Sequence, residues 1–249
     1  MITAPHIRNR KGKEKLVALT CYTTPMAHLL DAQVDILLVG DSVGMVLYGL
    51  DSTLNVSLSM MVEHVKAVRR GTKHAFLLAD LPFGSYQRSP EQAFISAAKL
   101  LKAGAQGVKL EGGLEMVDTV RFLVERGIPV VAHIGLKPQH VQTMGGYKKQ
   151  GKTESEKKRM LAEAKAHEQA GAFAILLEGT EEKTAIAITK AVKVPTIGIG
   201  ASPFCDGQIL VTEDMLGMFD HTPSFVTRHA EIAQEITKAV ARYVKATRK

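Results

Sequence analysis

Four carboxylates in this sequence stand at the ends of short runs that are apolar throughout. Asp41, Asp80, Glu111 and Glu178 each end or closely follow such a run, of which Leu77-Leu78-Ala79 is an example. Runs of this kind are typical of strands buried on both faces of a parallel sheet. In a parallel α/β barrel the carboxyl ends of all strands open onto one mouth, where the chemistry takes place. We therefore expect these acids to converge on the mouth of a barrel.

The first three acids form a candidate metal site. Asp41, Asp80 and Glu111 follow the second, third and fourth predicted strands, and neighbouring strands lie about 4.8 Å apart. Oxygen ligands without His or Cys favour a hard cation, and Mg²⁺ that keeps several waters fits best. The alternative is that each acid caps the following helix or pairs with a lysine or arginine. Because acids follow three consecutive strands, we favour the metal site.

A lysine is predicted to share the mouth with these acids. Lys109 lies two residues before Glu111 on one predicted strand, so both side chains point to the same face. A lysine in such a position is costly unless it is paired. It can bind a substrate carboxylate or a developing enolate oxygen, and a buried salt bridge with Glu111 is the alternative.

Three further residues are candidates for contact with a substrate. Glu178 ends the sixth predicted strand, across the mouth from the other acids. A carboxylate there suits a general base whose pKa is raised by burial, although it can instead serve the helix that follows. His133 can hydrogen-bond a substrate or be purely structural, and Ser42 can bind an anion or cap a turn.

A cation beside a base defines a reaction class. A 2-keto acid chelates Mg²⁺ through its carboxylate and keto oxygens, and the ion stabilises the enolate left when a base removes the C3 proton. The enolate then attacks an electrophile, which the residue pattern alone does not identify.

The 249 residues match the length of one eight-fold barrel. We expect an α/β fold with a single (βα)₈ TIM barrel domain over residues 1–249, an N-terminal extension over about residues 1–14 and a C-terminal helix over about residues 223–247. The predicted strands cover residues 15–20, 35–39, 75–80, 106–111, 129–133, 173–177, 195–201 and 208–211.

Two long rim loops and several helix caps are also predicted. Residues 41–56 are interpreted as an irregular loop, and the glycine-rich, basic residues 136–152 as a mobile lid or a surface loop without a role. Thr24 is predicted to cap a helix that begins at Pro25. Capping boxes are predicted at residues 89–92 and 153–156.

The bulk properties exclude several classes of protein. The net charge of +7 comes without a nucleic-acid-binding motif and with only 5% aromatic residues, so we expect no nucleic acid partner. No apolar run reaches the roughly 20 residues that a membrane span needs. The first 15 residues lack the apolar region of a secretory signal. Cys21 and Cys205 are interpreted as reduced thiols of a cytoplasmic protein, and one disulfide between them is the alternative.

With these residues assembled, the chain resembles the ketopantoate hydroxymethyltransferase family over nearly its full length. The resemblance is carried by many ordered motifs, which makes it far more specific than any one of them. They are Leu38-Val39-Gly40-Asp41-Ser42, Asp51-Ser52-Thr53-Leu54, Ala67-Val68-Arg69-Arg70-Gly71, Leu78-Ala79-Asp80-Leu81-Pro82-Phe83, Val108-Lys109-Leu110-Glu111-Gly112-Gly113, Gly145-Gly146-Tyr147-Lys148 and Asp206-Gly207-Gln208.

The resemblance implies a barrel of the phosphoenolpyruvate/pyruvate superfamily. It implies transfer of a hydroxymethyl group from 5,10-methylenetetrahydrofolate to 3-methyl-2-oxobutanoate, which gives 2-dehydropantoate (ketopantoate) on the route to pantothenate and coenzyme A. It further implies a cytoplasmic homo-oligomer, most commonly a homodecamer.

The resemblance also implies roles for the residues at the mouth. One Mg²⁺ per subunit is bound by Asp41, Asp80 and Glu111, the last through a water, and Glu178 is the proton acceptor. The keto acid is contacted by Asp41, Ser42, Asp80 and Lys109, with His133 nearby. The chain departs from the family pattern at Ser202, where glycine is usual, and at Gly179-Thr180-Glu181.

Two other functions fit the same barrel. A carbon–carbon or carbon–phosphorus lyase of the superfamily would share the metal site, but such enzymes usually carry a Lys-Lys-Cys-Gly lid motif that this sequence lacks. The second alternative is a non-catalytic barrel that binds a keto acid or a metal. The presence of both Lys109 and Glu178 argues against it.

Overall fold

Eight parallel strands close into a barrel in which each strand pairs with the next along the chain. The computed structural model describes residues 1–249, and it confirms the predicted (βα)₈ fold. The strands are β1 (Leu16–Thr20), β2 (Ile36–Val39), β3 (Phe76–Asp80), β4 (Gly107–Glu111), β5 (Val130–Gly135), β6 (Ala174–Glu178), β7 (Thr196–Ile199) and β8 (Gly207–Leu210).

Eleven helices follow or precede these strands. They are α1 (Ala4–Arg8), α2 (Thr24–Leu30), α3 (Val43–Tyr48), α4 (Leu58–Gly71), α5 (Pro90–Ala103), α6 (Val117–Glu125), α7 (Val141–Met144), α8 (Glu154–Gln169), α9 (Glu182–Ala191), α10 (Thr212–Met215) and α11 (Ile232–Thr247). Short 3₁₀-helices cover Thr53–Asn55, Leu114–Met116 and Pro138–His140. None of the helices is long and apolar enough to cross a membrane.

The alternation of side chains along β4 explains why charged residues reach the barrel interior. Val108 and Leu110 belong to the apolar layer that also contains the buried faces of the helices. Successive strand residues point to opposite faces, so Lys109 and Glu111 point the other way, into the barrel. Towards the amino ends of the strands the barrel interior is apolar and includes Ile36. Towards the carboxyl ends it contains the polar residues Lys109 and Glu111.

The chain divides into two compact units, residues 1–209 and residues 210–249. The first contains the barrel. The second contains α10 and α11, and here the predicted start of the terminal helix at residue 223 is wrong, because α11 begins at Ile232. Pro223 opens only a single turn, closed by a bond from Val226 N to its carbonyl. The chain then folds back where the Arg228 guanidinium donates to the carbonyls of Phe219 and Asp220.

The predicted irregular loop at residues 41–56 contains helices. It holds α3 and the 3₁₀-helix Thr53–Asn55, and α3 ends where Gly49 adopts a left-handed conformation with φ 64°. The cap of α2 is also shifted by one residue. Thr23, not Thr24, accepts a hydrogen bond from Met26 N at 3.3 Å, so Pro25 occupies the second helical position.

The predicted capping boxes have different outcomes. Thr153 and Glu156 form a complete box at the start of α8. Ser89 caps α5, but Gln92 Oε1 accepts from Arg88 N and not from Ser89 N, so the reciprocal bond reaches one residue further back. After β4 the chain forms the 3₁₀-helix Leu114–Met116 and then α6.

The connection from β7 to β8 consists of residues 200–206 and contains no helix. A crossover between parallel strands normally needs a dozen residues or more and a helix. Here the N-terminal segment holds the connection in place. Lys15 Nζ donates to the carbonyls of Pro203 and Cys205, and Lys11 Nζ lies 2.8 Å from Asp206 Oδ2.

Candidate active site at the barrel mouth

The strand register places the predicted residues side by side at the carboxyl end of the barrel. Asp80 on β3 pairs with Lys109 on β4, and Glu111 on β4 pairs with His133 on β5. Glu178 on β6 pairs with Gly135. The ends of five successive strands, β2 to β6, therefore supply one continuous polar surface.

Lys109 is the buried cation at the centre of this surface. Its Nζ lies 3.0 Å from Asp80 Oδ1 and 3.2 Å from His133 Nδ1. The ion pair with Glu111 that the sequence suggested as an alternative is instead an ion pair with Asp80. Burial acts to lower the pKa of Lys109, but the charges of Asp80, Glu111 and Asp41 more than offset it and raise the pKa above its usual value. Lys109 is therefore an ammonium ion throughout the neutral range.

His133 is a neutral imidazole with a defined tautomer. An ammonium group can only donate, so His133 Nδ1 accepts from Lys109 and Nε2 carries the proton. Nε2 lies 2.8 Å from the Leu136 carbonyl and 3.4 Å from Glu178 Oε2. Burial and the nearby charge of Lys109 lower the pKa of His133 well below its usual value. Both ring nitrogens are thus engaged within the protein, and the ring joins Lys109 to Glu178.

Glu178 has the character expected of a base. Burial, reinforced by the charge of Glu111, raises the pKa of Glu178 to about 8, and 23% of its side chain remains exposed. It stands on β6, four strands from Asp41. The carboxylate is therefore reachable from the mouth, and its pKa lies in the range where protons are exchanged near neutrality.

The acids on β2 to β4 carry excess negative charge. Asp41 N donates to Asp80 Oδ2 at 3.1 Å, which brings the two aspartates together. Burial raises the pKa of Asp41 well above its usual value, and the charges of Asp80 and Glu111 raise it further. Three carboxylates face one ammonium group, so full ionisation leaves two negative charges for a cation to neutralise.

The donors in this cluster fit a hard divalent cation. All three acids offer only oxygen atoms, and buried Asp80 Oδ1 has the ion pair with Lys109 as its one polar contact. However, no group of three or more His, Cys, Asp or Glu side chains in the chain is arranged closely enough to enclose an ion. Mg²⁺ is commonly held by one or two carboxylates together with substrate oxygens and water, so two of these acids, such as the adjacent Asp41 and Asp80, would be enough to hold it.

Ser42 lies at the same rim, at the start of α3. Its Oγ is 2.8 Å from the hydroxyl of Tyr22, which fixes the direction of the Ser42 side chain. Ser42 is the residue before the first turn of α3, and its side chain makes no cap hydrogen bond there.

Residues 136–152 are attached to the barrel at both ends next to Glu178. Leu136 N donates to the Glu178 carbonyl, and Gln150 N donates to Gly179 O, both at 2.8 Å. Gly179 has φ 47°, and a Cβ there would meet the Leu136 side chain at 3.0 Å. The departure from the family pattern after Glu178 therefore coincides with the attachment point of this segment. Within the segment, Pro138–His140 and α7 form two short helical turns that the sequence did not predict.

Two residues of this site were not predicted from the sequence. Gln139 and Tyr86 are buried between the acids and bond to Asp41 and Glu111. Gln139 belongs to the 3₁₀-helix Pro138–His140 that follows β5, and Tyr86 lies in the segment that follows Asp80. A polar residue soon after a barrel strand is the only sequence signal that could have identified them.

Comparison with known proteins decides the family. The family model described as ketopantoate hydroxymethyltransferase matches residues 1–249. The 3-methyl-2-oxobutanoate hydroxymethyltransferase of Phenylobacterium zucineum is 54% identical over 248 residues, which cover 99% of this chain and 90% of that protein. The enzyme of the same name from Sinorhizobium fredii is 59% identical over 235 residues, 94% of this chain and 86% of that protein.

The chain belongs to the ketopantoate hydroxymethyltransferase family.

Solved structures place this family member in a wider fold group. The phosphoenolpyruvate phosphomutase of Streptomyces platensis subsp. rosaceus matches with a TM-score of 0.67 at 11% identity, covering 99% of this chain and 88% of that chain. A 2,3-dimethylmalate lyase, described as a PEP mutase/isocitrate lyase superfamily member, matches with a TM-score of 0.61 at 18% identity, covering 99% and 98%. At these identities the likeness shows the fold alone, and that fold is the predicted (βα)₈ barrel.

Proposed function

We propose that this member of the ketopantoate hydroxymethyltransferase family transfers a hydroxymethyl group from 5,10-methylenetetrahydrofolate to 3-methyl-2-oxobutanoate. With water, the products are 2-dehydropantoate and tetrahydrofolate. A new carbon–carbon bond forms between C3 of the keto acid and the methylene carbon, and both bonds from that carbon to the folate nitrogens break. Water supplies the hydroxyl group, and the two protons that the folate nitrogens take up balance the one removed from C3 and the one left by water. The names of relatives that are 54–59% identical over nearly the whole chain support this activity.

Glu178 is the proposed proton acceptor. Its side chain is reachable from the mouth, and burial holds its pKa at about 8. The proton on His133 Nε2 lies between Glu178 and the Leu136 carbonyl and stabilises the ionised carboxylate before it accepts the C3 proton. Release of that proton to water through the exposed side of Glu178 restores the base.

Lys109 is the proposed partner for the negative charge that develops on the substrate. Its ammonium group is held between Asp80 and His133, so it does not have to reorganise when the C3 proton leaves. Such fixed charges near a developing oxyanion are usually the largest single contribution to catalysis. Asp41, Ser42 and Asp80 complete the proposed contacts to the keto acid, with His133 behind Lys109.

Asp41, Asp80 and Glu111 are proposed to hold one Mg²⁺. When bound, the ion supplies Lewis acidity to the keto and carboxylate oxygens of the substrate. The excess negative charge of the three acids, which face a single ammonium group, supports this proposal.

The observation that carries the proposal is the continuous chain from Asp80 through Lys109 and His133 to Glu178, in which each link is 3.4 Å or shorter. It joins a fixed positive charge to a base with a raised pKa. Removal of a proton next to a carbonyl needs both groups at one site.

An assay of 2-dehydropantoate formation, with and without EDTA, tests this function. We expect activity that EDTA abolishes and that added Mg²⁺ restores. Deuterium uptake at C3 of 3-methyl-2-oxobutanoate, followed by NMR, separates the alternatives. Uptake without product formation would favour another reaction of the same enolate, such as that of a lyase, and no uptake would favour a non-catalytic barrel.

We further propose that the protein acts in the cytoplasm as a homo-oligomer and that this oligomer is a homodecamer. The apolar residues Ile236, Val240 and Tyr243 of α11 are exposed in the single chain, which supports self-association. Light scattering coupled to size-exclusion chromatography tests the oligomeric state, and a monomer at micromolar concentration would contradict it.

A further inference from the structure

Gln139 connects the segment of residues 136–152 to two acids of the mouth. Its side-chain Nε2 lies 2.8 Å from Asp41 Oδ2 and 3.0 Å from the Leu81 carbonyl. Its backbone N lies 3.0 Å from Glu111 Oε2. One residue outside the strands therefore donates hydrogen bonds to the carboxylates that follow β2 and end β4.

The orientation of the Gln139 amide follows from its partners. The Leu81 carbonyl can only accept and the Gln87 amide nitrogen can only donate. The Gln139 NH₂ group therefore faces Leu81, and its Oε1 faces Gln87 Nε2 at 3.1 Å. The second NH₂ hydrogen is left for Asp41. Because Gln139 is buried and its whole amide is hydrogen-bonded, the contact with Asp41 cannot rotate away without breaking the others.

Tyr86 fixes the other side of the same amide. Its hydroxyl lies 2.7 Å from Gln139 Oε1 and 3.0 Å from the Glu111 carbonyl, and it accepts from Glu111 N at 3.1 Å. The phenol is fully buried, and burial together with the charge of Glu111 raises the pKa of Tyr86 far above its usual value. It remains a neutral hydroxyl that clamps the end of β4 to Gln139.

We propose that Gln139 is a positioning residue that sets the orientation of Asp41 and Glu111 for cation binding and couples that binding to the seating of residues 136–152. The proposal rests on the cation site of the proposed function. Because the acids do not enclose an ion by themselves, the groups that orient them decide how well they share one. Outer partners of this kind typically change metal affinity by about 10- to 100-fold when they are removed.

The coupling has a simple structural origin. When residues 136–152 are seated, Gln139 donates to both acids from the backbone and the side chain at once. If the segment lifts, Asp41 and Glu111 lose these donors together while their mutual repulsion remains. A cation that neutralises the acids therefore favours the seated segment, and the seated segment favours the cation, by the same factor.

The substitution Gln139→Met tests the proposal because methionine keeps the length and volume but removes the amide. Gln87→Met is the matched control, since Gln87 also bonds to Gln139 Oε1 but touches neither acid. Mn²⁺ affinity is measured by electron paramagnetic resonance on the purified protein, without substrate. We expect Gln139→Met to raise the Mn²⁺ Kd about 10- to 100-fold and Gln87→Met to change it less than about threefold.

Limited trypsin digestion supplies a second readout. Lys148 and Lys149 are exposed cleavage sites in the same segment. We expect Mn²⁺ to slow cleavage there in the wild type and in Gln87→Met, but not in Gln139→Met. If Gln139→Met does not fold, Tyr86→Phe removes the anchoring hydroxyl alone and should weaken Mn²⁺ binding in the same direction.

The outcomes separate this proposal from the proposed function. A wild type that binds Mn²⁺, beside a Gln139→Met variant with unchanged affinity and unchanged protection, would overturn the role of Gln139 and leave the enzyme function standing. A wild type that neither binds Mn²⁺ nor needs a divalent cation for product formation would overturn both the cation site and the coupling.

Discussion

The two ends of the barrel use carboxylates in opposite ways. At the amino end, buried Asp31 accepts hydrogen bonds from the backbone N–H groups of Lys73, His74 and Ala75 at 2.8–3.0 Å. Burial alone would raise the pKa of Asp31, but these donors lower it below its usual value. At the mouth, burial raises the pKa of Asp41 and Glu178, and their neighbouring acids raise it further.

Asp206 shows that Asp31 is not an isolated case. It accepts from Lys11 Nζ, from the backbone of Gly12 and from Thr196, and its pKa is likewise lowered despite burial. The acids at the amino end are ionised and satisfied, so they hold loops in place. Asp41, Asp80 and Glu111 at the mouth each accept fewer hydrogen bonds than Asp31, and the three share one buried cation, Lys109, so they are available to a proton or a cation. Buried carboxylates therefore stabilise or react according to the donors that the surrounding backbone provides.

The largest effect should come from removing the base. Glu178→Gln keeps the shape of the side chain but cannot accept a proton, and we expect C3 deuterium exchange to fall by about 10²- to 10⁴-fold. Because ionising Glu178 in the folded state is costly, the variant should unfold at a higher temperature than the wild type at pH 9. Glu182→Gln, at the exposed start of α9, is the control. Wild-type exchange in Glu178→Gln would exclude Glu178 as the base.

Removing a carboxylate at the amino end should have the reverse effect. Asp31→Ala leaves three backbone N–H groups without their partner, and we expect a loss of about 3 kcal/mol in the free energy of unfolding. Urea denaturation measures it, and C3 exchange per folded molecule should stay at the wild-type rate. The folded pKa lies below the usual 3.8, so the contribution is complete above that pH and disappears as the pH falls further. A pH-independent difference would contradict the ionic role of Asp31.

A divalent cation should stabilise the folded protein by binding to the acids of the mouth and not to those of the amino end. At 100 times its Kd, a cation that binds only the folded protein adds about 2.7 kcal/mol to the free energy of unfolding. Thermal melting with and without Mg²⁺ should show this gain in the wild type and in Asp31→Ala. Asp80→Asn should lose most of it, because one oxygen ligand and one negative charge are removed. An equal gain in Asp80→Asn would place the cation elsewhere.

The smallest effect concerns pH. Glu178 is active when ionised, and its pKa is raised to about 8. The ionised fraction therefore increases from about a tenth at pH 7 to about nine tenths at pH 9. We expect the rate of C3 exchange at limiting substrate, which reports the free enzyme, to increase about tenfold over this range. A rate that is flat between pH 6 and pH 9 would contradict ionisation of the base with a pKa of about 8.

The sequence was sufficient for the barrel and for most of the mouth. Runs such as Leu77-Leu78-Ala79 predicted strands that are buried on both sides, and the residues at their ends were bound to meet because the strands are parallel. The Lys109 and Glu111 spacing predicted a shared face, and both side chains are buried in the barrel. The roles of the metal ligands and of the base stay predictions.

Other features depend on tertiary contacts that no local pattern records. α3 is only six residues long and lies among glycines, which favoured a loop prediction. The Thr222-Pro223 pair is typical of a helix start. In the structure, however, Arg228 donates a hydrogen bond to the Phe219 carbonyl, and α11 begins only at Ile232. Gln139 and Tyr86 were not predicted as site residues, because a single amide or phenol outside the strands has no residue spacing that indicates a contact with the acids.

The helix-free connection between β7 and β8 has a consequence for how this chain can vary in length. Ser202 and Cys205 are buried within it, and Lys11 and Lys15 fasten it from outside. A helical connection can absorb an added residue in a solvent-facing turn, but here an insertion or deletion would be passed on to β8. A shift of one residue would turn every β8 side chain to the opposite face. We therefore expect natural insertions in the family to occur around residues 145–149 and to avoid residues 200–206.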